Sequence, residues 1–390
     1  MPGLVVNPRA RIFHGHDWVY ASEIKKAFGN PQPGDVISLK DFRDRPLGSA
    51  IYNPQSQIVA RRFSRRRQEL DLDFFKRRLD RALSHRNTLR LSPHGFARIV
   101  WSESDGLPGV IIDQYDGTVV LQTNTLAMDQ RRDLLTEAIK ATLSPDSIVE
   151  RNDSTIRKPE GLETRESLLH GASPNPLSVD LSGFAQTVDV LGGQKTGVYL
   201  DQWDNYRKVA ALAKDRRTLD CFTNQGGFAL ACKAAGATEV TAIDSSEPTL
   251  EIARQNAAAS NLEITWQNAN VFDHLKQADT DQARYDLVIL DPPSFTRRKG
   301  ALKDALRGYK EIHLRALKIL ETGGILATFS CSHHVNHETF LGVIRDAAVD
   351  AKRQLRLVDT FSQRADHPVL ATLPETEYLR GFAFETIGAW

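Results

Sequence analysis

Short apolar runs alternate with amphipathic segments throughout the second half of the chain. The runs predict strands at 217–222, 239–243, 264–266, 285–290 and 323–332. After the first run, apolar positions recur with the period of a helix. Uninterrupted apolar strands separated by helices are typical of a parallel sheet that is covered on both faces. The pattern therefore predicts an open α/β sheet.

The first part of the chain has a different pattern, in which short alternating runs are broken by proline and glycine. Such alternation predicts a small β-barrel, with strands at 36–39, 49–52 and 57–60. A predicted helix at 71–91 leads into a middle unit of the α+β type. The elements expected there are strands at 109–113 and 118–122 and a helix at 129–142.

These changes of pattern indicate the domain boundaries. We expect three domains, at 1–70, 71–180 and 181–390. Segment 164–178 is rich in serine, proline, glycine and asparagine, and it predicts a mobile loop before the last domain.

Polar and glycine residues follow the predicted parallel strands. The turn after the first strand reads Asn224-Gln225-Gly226-Gly227, where glycines allow a ligand to approach the backbone and the next helix offers free N–H groups. Asp244 ends the second strand about 20 residues later, where a carboxylate can accept both ribose hydroxyls. Asn270 and Asp273 follow the third strand and have polar groups for an adenine edge. These positions predict a site for an adenosine compound.

The same turn lacks the two common phosphate-binding patterns, G-x-G-x-x-G and G-x-x-x-x-G-K-S/T. Asp220 precedes the turn, and its negative charge would repel a phosphate but attract a cationic methionine group. This indicates S-adenosylmethionine. A pair of glycines alone would equally suit an ordinary turn, but the acids at successive strand ends, Asp220, Asp244 and Asp273, favour the cofactor site.

The fourth strand ends in Asp291-Pro292-Pro293-Ser294-Phe295. Two prolines restrict the backbone here, so that the carbonyl groups and the Asp291 carboxylate form a rigid set of acceptors. Such a set suits the amino group of a flat nucleobase. The alternative is a plain turn at the end of a strand.

Cys331 ends the last predicted strand, on the sheet edge where open α/β sheets bind ligands. A free cysteine is most often a small buried apolar residue, and we interpret Cys221 and Cys232 in this way. A thiolate nucleophile needs a polar, partly open setting, which the neighbours of Cys331 provide: Ser330, Ser332, His333 and His334.

Together these motifs resemble the class I S-adenosylmethionine-dependent RNA methyltransferases of the RlmI type, which modify carbon 5 of cytosine in large-subunit ribosomal RNA. The motifs are KTGVYLDQWDNYR, LDCFTNQGGF, AIDSS, LDPPSF and FSCS. Segments 15–20 and 33–36 look like the N-terminal PUA domain of that family, and 103–109 looks like the opening of its middle domain. The resemblance implies a Rossmann-like class I methyltransferase domain, a PUA β-barrel and a central α+β domain. It also implies ribosomal RNA as the partner and a homodimer.

The resemblance further implies a covalent mechanism, in which Cys331 adds to carbon 6 of the base and Asp291 holds the base. Glu377 and Glu375 are candidates for the base that removes the carbon-5 proton, although either is equally well a surface acid. The positions that match the cofactor site are Lys195, Thr196, Asp201, Gln202, Arg207, Asp220, Phe222, Gly226, Gly227, Asp244, Ser245, Asn270, Asp273, Asp291 and Pro292.

This chain departs from the family pattern at Asn224-Gln225, where the family often has a hydroxyl or aromatic pair, and in the continuation of the cysteine motif into His333-His334. Related pyrimidine methyltransferases sometimes carry a second cysteine where this chain has Ser294, so a single nucleophile must suffice. Other functions remain open. An exocyclic-amine methyltransferase uses D-P-P followed by an aromatic residue, one place before Phe295; the remaining alternatives are a 5-methyluridine methyltransferase and a non-catalytic RNA-binding scaffold.

Composition limits the setting. The chain has 390 residues, of which 41% are hydrophobic, enough for more than one core. Three cysteines without C-x-x-C spacing fit a reducing compartment and provide no metal site. The N-terminus lacks a signal-peptide core, and no apolar run approaches membrane-spanning length. We therefore expect a cytoplasmic protein with no membrane partner.

The formal net charge of +1 does not by itself predict nucleic-acid binding. Local basic runs can neutralise phosphates while acids elsewhere cancel the total charge. Such runs occur at 61–67 and 297–299. The first is equally well a solvated surface, whereas the second follows the strand end beside the predicted pocket and favours substrate RNA.

Overall fold

A computed structural model provides the architecture of the chain. The residues that it describes are 1–91, 95–172, 176–180, 184–191, 196–295, 300, 302–332 and 334–389. Lys195, His333 and the basic run 297–299 lie outside the described residues. The chain forms two compact units. The first comprises Met1–Leu177, Val188–Leu200 and Ala365–Thr376; the second comprises Ser178–Thr187, Asp201–Arg364 and Glu377–Trp390.

The first unit begins with a six-stranded mixed sheet. Its strands are β1 (Gly3–Val6), β2 (Trp18–Tyr20), β3 (Ile24–Phe28), β4 (Val36–Lys40), β5 (Pro46–Tyr52) and β6 (Ile58–Ser64). The order is β2-β6-β5-β4-β1-β3, with β1 and β4 parallel and the other neighbours antiparallel. Leu4, Ile37 and Ala60 are among the buried residues of its core. The alternating runs in this part of the chain are therefore confirmed as strands.

The rest of the first unit is built on a five-stranded sheet with the order β11-β10-β9-β8-β7. Its elements are α1 (Leu72–Thr88), β7 (Phe96–Trp101), β8 (Val110–Tyr115), β9 (Thr118–Thr123), α2 (Leu126–Asp129), α3 (Arg132–Leu143), β10 (Ser147–Asn152) and β11 (Arg165–His170). Helix α1 begins where Asp71 accepts a hydrogen bond from the N–H of Phe74, as a helix N-cap does. Phe75 and Leu79 of α1 are buried with Leu135 of α3 in one core. The helix predicted at 71–91 is thus confirmed.

The loop predicted at 164–178 is wrong for residues 165–170, which form β11 and pair antiparallel with β10. Glu150 of β10 is fully buried, and its carboxylate accepts hydrogen bonds from Arg165 and from the Ser167 hydroxyl. A composition typical of loops forms a strand here because its polar side chains satisfy a buried carboxylate on the neighbouring strand.

The second unit contains a seven-stranded sheet with the order β16-β15-β14-β17-β18-β20-β19, and β12 and β13 form a separate two-stranded sheet. The elements are β12 (Leu177–Asp180), β13 (Ala185–Val188), α4 (Trp203–Ala210), β14 (Arg217–Cys221), α5 (Gly227–Ala234), β15 (Glu239–Asp244), α6 (Glu247–Ala259), β16 (Thr265–Asn268), α7 (Val271–Thr280), β17 (Tyr285–Leu290), α8 (Leu302–Ile319), β18 (Leu320–Ser330), α9 (His337–Asp350), β19 (Arg353–Ser362) and β20 (Arg380–Ala389).

Strands β14 to β18 of this sheet are parallel, and β20 and β19 add an antiparallel edge. The apolar run of β17 is buried because helices cover the sheet, as the buried Tyr309 and Ile312 of α8 illustrate. Strand order changes direction at β14, whose two neighbours are β15 and β17. In open α/β sheets, this point at the carboxyl edge is where ligands bind. No helix within the described part of the chain is long and apolar enough to cross a membrane.

A buried ion pair stabilises the first unit. The Arg86 side chain is completely buried, and its guanidinium donates to both carboxylate oxygens of Asp105, at 2.6 and 2.8 Å. It also donates to the carbonyl oxygens of Arg98 and Asp366, at 2.9 and 2.8 Å. All of these partners belong to the same unit.

Replacing Arg86 by methionine is expected to lower the free energy of unfolding by about 3–5 kcal/mol, because Asp105 would remain buried without its cation. Urea denaturation measures the change. Arg77→Met is the matched control, since Arg77 lies on the same helix but makes an exposed pair with Asp73 and should contribute little. Equal losses for the two variants would contradict this assignment.

Candidate active site

The candidate site lies at the carboxyl edge of the parallel strands. Cys221, the last residue of β14, pairs with Ile243 of β15 and with Leu290 of β17. Leu290 in turn pairs with Thr328 of β18. The four strands therefore end close together, and the residues that follow them share one edge.

The glycine turn after β14 is tightly packed. Gly226 has a φ of +82°, a conformation that favours glycine, and a Cβ placed there would lie 2.7 Å from Cη2 of Trp266. A Cβ on Gly227 would lie 2.5 Å from Cζ of Tyr206. Phe222 also has a positive φ, +64°, which is unusual for a bulky residue. Larger side chains in place of either glycine would displace the aromatic rings that support the turn.

Asp220 is fully buried in β14. Its Oδ2 accepts hydrogen bonds from the Thr223 hydroxyl at 2.6 Å and from the N–H of Ala229 at 3.0 Å. Its Oδ1 is buried and has no hydrogen-bond partner in the described ranges. Burial, followed by the smaller effect of the Asp291 charge, raises the pKa of Asp220 to about 7. A cationic ligand group beside Oδ1 would offset the cost of burying this charge, so the residue suits the methionine part of S-adenosylmethionine.

Asp244 ends β15, next to the glycine turn. Its two carboxylate oxygens accept hydrogen bonds from the N–H groups of Asn224 and Ser246, each at 2.9 Å. These bonds orient a partly exposed carboxylate at the position predicted for the ribose hydroxyls. Ser245, between them, is exposed.

Asn270 and Asp273 follow β16 at the start of α7. The Asn270 side-chain oxygen accepts from the N–H groups of Phe272 and Asp273, so it caps the helix. Asn270 and Asp273 are both exposed. The side-chain oxygen of Asn270 therefore has a structural role beside the one predicted for it.

Gln202 contacts Asp291 directly. Its side-chain amide donates to Oδ2 of Asp291 at 3.0 Å, and its own oxygen accepts from the Asn205 amide at 2.7 Å. Gln202 and Asn205 are almost completely buried, so this pair orients the Asp291 carboxylate. Asp201 accepts a hydrogen bond from the Tyr378 hydroxyl at 2.6 Å, whereas Arg207 is exposed.

Two residues that the sequence assigns to the site lie in the first unit. Thr196 is buried, and its hydroxyl donates to Asp113 at 2.5 Å and hydrogen-bonds to Tyr115. Glu375 hydrogen-bonds to the buried His16 ring, with 3.2 Å between Oε2 and Nε2.

Cys331 follows β18, and its thiol is partly exposed. Its Sγ lies 3.9 Å from the carbonyl oxygen of Pro292, which comes directly after Asp291. Cys221 and Cys232 are fully buried, and burial raises the pKa of both thiols well above the ordinary value. Of the three cysteines, Cys331 is thus the one with a reactive setting.

Hydroxyl groups connect the two strand ends that hold Asp291 and Cys331. Ser332 Oγ lies 3.0 Å from Ser294 Oγ and 3.1 Å from the Tyr309 hydroxyl, which is 3.0 Å from Ser330 Oγ. Burial raises the pKa of Tyr309 to about 12, so it keeps its proton at neutral pH. The sequence indicates nothing about Tyr309, because it lies on the buried face of an ordinary amphipathic helix.

The end of the chain provides two more charged groups. Glu377 is exposed and immediately precedes Tyr378. Arg380, the first residue of β20, is buried and donates to the carbonyl oxygen of Ser332 at 3.1 Å. The pairing of β20 with β18 brings Arg380 opposite Ser330, a proximity that the sequence pattern does not reveal.

Comparison with known proteins identifies both parts of the chain. Residues 7–65 match the family model of PUA-like domains, and residues 167–370 match the model of S-adenosylmethionine-dependent methyltransferases. The PUA-like domain, the α/β methyltransferase domain and the cofactor predicted from the sequence are therefore confirmed.

Relatives extend this match over nearly the whole chain. A ribosomal RNA large subunit methyltransferase I from Erwinia tasmaniensis is 38% identical over 382 residues, 96% of each chain. The protein of the same name from Vibrio cholerae is 38% identical over 380 residues, 95% of this chain and 96% of its own.

Solved structures show the same fold. One described as a SAM-dependent methyltransferase from Streptococcus mutans has a TM-score of 0.85 at 21% identity, over 99% of this chain and 100% of its own. A methyltransferase complexed with SAH has a TM-score of 0.86 at 22% identity, with the same coverage. The matched domains and the full-length relatives show that this chain belongs to the ribosomal RNA large subunit methyltransferase I family of S-adenosylmethionine-dependent methyltransferases.

Proposed function

We propose that this protein methylates carbon 5 of a cytosine in large-subunit ribosomal RNA through a covalent bond between Cys331 and the base. The name shared by its relatives supports the RNA substrate. The observation that carries the choice of chemistry is the partly exposed Cys331 thiol at the strand end beside Asp291-Pro292. An enzyme that methylates an amino group has no use for a thiol in this position.

S-adenosylmethionine supplies an electrophilic methyl group attached to a positively charged sulfur. Asp220, with its unpartnered buried oxygen, would bind the cationic methionine part, and Asp244 would accept the ribose hydroxyls. The remaining assignments in the second unit are Asp201, Gln202, Arg207, Phe222, Gly226, Gly227, Ser245, Asn270, Asp273, Asp291 and Pro292. The roles of Lys195 and Thr196 in cofactor binding stay predictions.

Cytosine carbon 5 is too weak a nucleophile to accept a methyl group unaided. In the proposed reaction the Cys331 thiolate forms a bond to carbon 6, and the electrons of the 5,6 double bond move into the ring and make carbon 5 nucleophilic. After carbon 5 has gained the methyl group, a base takes its proton. The electron pair of that C–H bond restores the double bond, and the sulfur leaves as a thiolate.

Asp291 would hold the base near its amino group and ring nitrogen, where charge develops when the thiolate adds. The Gln202 amide orients the carboxylate for this task. Glu377 is our candidate for the base that removes the carbon-5 proton, because its carboxylate is exposed and lies close to the start of β20.

The RNA would also contact basic residues of the first unit. Arg61 and Arg62 form ion pairs with Glu103 and Asp17, so their charges are already used. By contrast, the run Arg65-Arg66-Arg67 is exposed and forms no ion pair with the described residues. These three cations are available to phosphates. The homodimer and the cytoplasmic location stay predictions.

Cys331→Ala is expected to reduce methylation by on the order of 10³-fold or more, because the variant cannot form the covalent adduct. The assay combines labelled cofactor with large-subunit ribosomal RNA stripped of its modifications, and mass spectrometry maps the product. RNA containing 5-fluorocytosine, which cannot lose a carbon-5 proton, should trap an adduct with the native protein alone.

Cys232→Ala, which changes a buried thiol, is the matched control and should keep both methylation and trapping. Full methylation by the Cys331→Ala protein would support an exocyclic-amine methyltransferase instead. Label in uridine would support the 5-methyluridine alternative, and no cofactor binding by calorimetry would support a non-catalytic scaffold.

Cofactor affinity is expected to rise with pH between about 5.5 and 7.5. Burial raises the pKa of Asp220 to about 7 in the free protein, so the residue is protonated below this pH and cannot pair with a cation. Below the pKa, the dissociation constant should increase by roughly tenfold per pH unit. Calorimetric titration of the purified protein with S-adenosylmethionine measures it.

Asp220→Asn keeps the shape of the side chain but cannot ionise, so it should bind weakly and with a flat pH profile over this range. Asp244→Asn is the comparison, because it should weaken binding and leave the pH dependence in place. The same pH dependence in native and Asp220→Asn proteins would show that another group titrates.

A further inference from the structure

Arg380 places a positive charge beneath the loop that carries the proposed nucleophile. It opens β20 and pairs with Ser330 of β18 on one side and Ser362 of β19 on the other. Its guanidinium donates to the carbonyl oxygens of Ser332 and Val335, the former at 3.1 Å. These bonds clasp the chain on the C-terminal side of Cys331.

The Arg380 charge has no anionic partner in direct contact. Only 5% of the residue is exposed, yet within the described part of the chain no carboxylate forms an ion pair with it. Its hydrogen-bond acceptors are neutral main-chain carbonyls, with that of Glu377 at 3.4 Å as the third. A buried cation without a counter-ion is costly unless an anion forms nearby.

Cys331 is the ionisable group that would supply this anion. Burial lowers the pKa of Arg380, while the charges of Glu377, Tyr309 and Cys331 act in the opposite direction. Glu377 is exposed, so solvent weakens its effect, and Tyr309 keeps its proton because burial raises its pKa to about 12. The thiolate of Cys331 therefore remains as the anion that this buried cation can stabilise at neutral pH.

We propose that Arg380 is a positioning residue that stabilises the Cys331 thiolate and holds its loop in place for attack on the base. The thiol loses its proton to solvent, and the resulting negative charge lies beside the buried guanidinium. Asp291, at the neighbouring strand end, opposes a second negative charge, so the cation also offsets that repulsion. The proposal rests on the proposed function, since it explains why the nucleophile is ionised before the base arrives.

The test uses the rate of alkylation of the free protein by iodoacetamide as a function of pH, which requires neither RNA nor cofactor. Cys221 and Cys232 are buried, so the fast phase should come from Cys331, and the Cys331→Ala protein should lack it. For the native protein we expect a midpoint below that of an ordinary cysteine, about 8.5. A midpoint at or above this value overturns the proposal without the use of any variant at position 380.

Arg380→Gln keeps hydrogen-bond donors but removes the charge, and it should raise the midpoint by about one pH unit or more, so that alkylation at pH 7 slows roughly tenfold. Arg380→Lys keeps the charge and should recover most of the shift. Cofactor affinity, measured by calorimetry, reports whether each variant is folded. A folded Arg380→Gln protein with the native midpoint overturns the proposal.

Methylation assays separate this result from the proposed function. An Arg380→Gln protein with a raised midpoint should also show a kcat that recovers as the pH increases, with little change in the KM for cofactor. If Cys331→Ala methylates at the native rate, the nucleophile role fails, while the alkylation midpoints still decide whether Arg380 stabilises the thiolate.

Discussion

The parallel pairing of β17 with β18 is the contact on which the arrangement of the site depends. Because Leu290 lies opposite Thr328, both strands end at one edge, where Asp291 and Cys331 follow within a few residues. Since side chains alternate between the faces of a sheet, a slip of one residue would turn one set away. Backbone hydrogen bonds within a buried sheet, and not a flexible loop, therefore bring acid and thiol together.

Burial of single charges gives this edge its chemical character. Asp220 is buried with one carboxylate oxygen unpartnered among the described residues, and burial raises its pKa. Arg380 is buried against main-chain carbonyls, and burial lowers its pKa. Both arrangements cost folding free energy, which a ligand or reacting group of opposite charge can recover. The protein thereby stores affinity for a cation at one strand end and for an anion near another.

Side chains outside the motifs hold the motif residues in place. Asn205 orients Gln202, whose amide binds Asp291, and the Tyr309 hydroxyl contacts Ser332 beside the thiol. These supporting residues come from the helical segments around α4 and α8. Because each makes its contact from a buried position, the reacting groups are oriented before any substrate binds.

Local pattern in the sequence was sufficient to predict the parallel strands and the acids and thiol at their ends, because buried strands need continuous apolar runs and functional groups follow them directly. It missed β11, because the polar side chains of that strand are stabilised by the buried Glu150 on another strand. It also gave no reason to assign roles to Tyr309 or Arg380. Their positions depend on helix packing and on antiparallel pairing between distant segments, and such contacts leave no periodic signal in the chain. The sequence by itself thus determined the fold class, the cofactor and the candidate reacting groups, whereas tertiary structure alone decided which side chains orient and charge them.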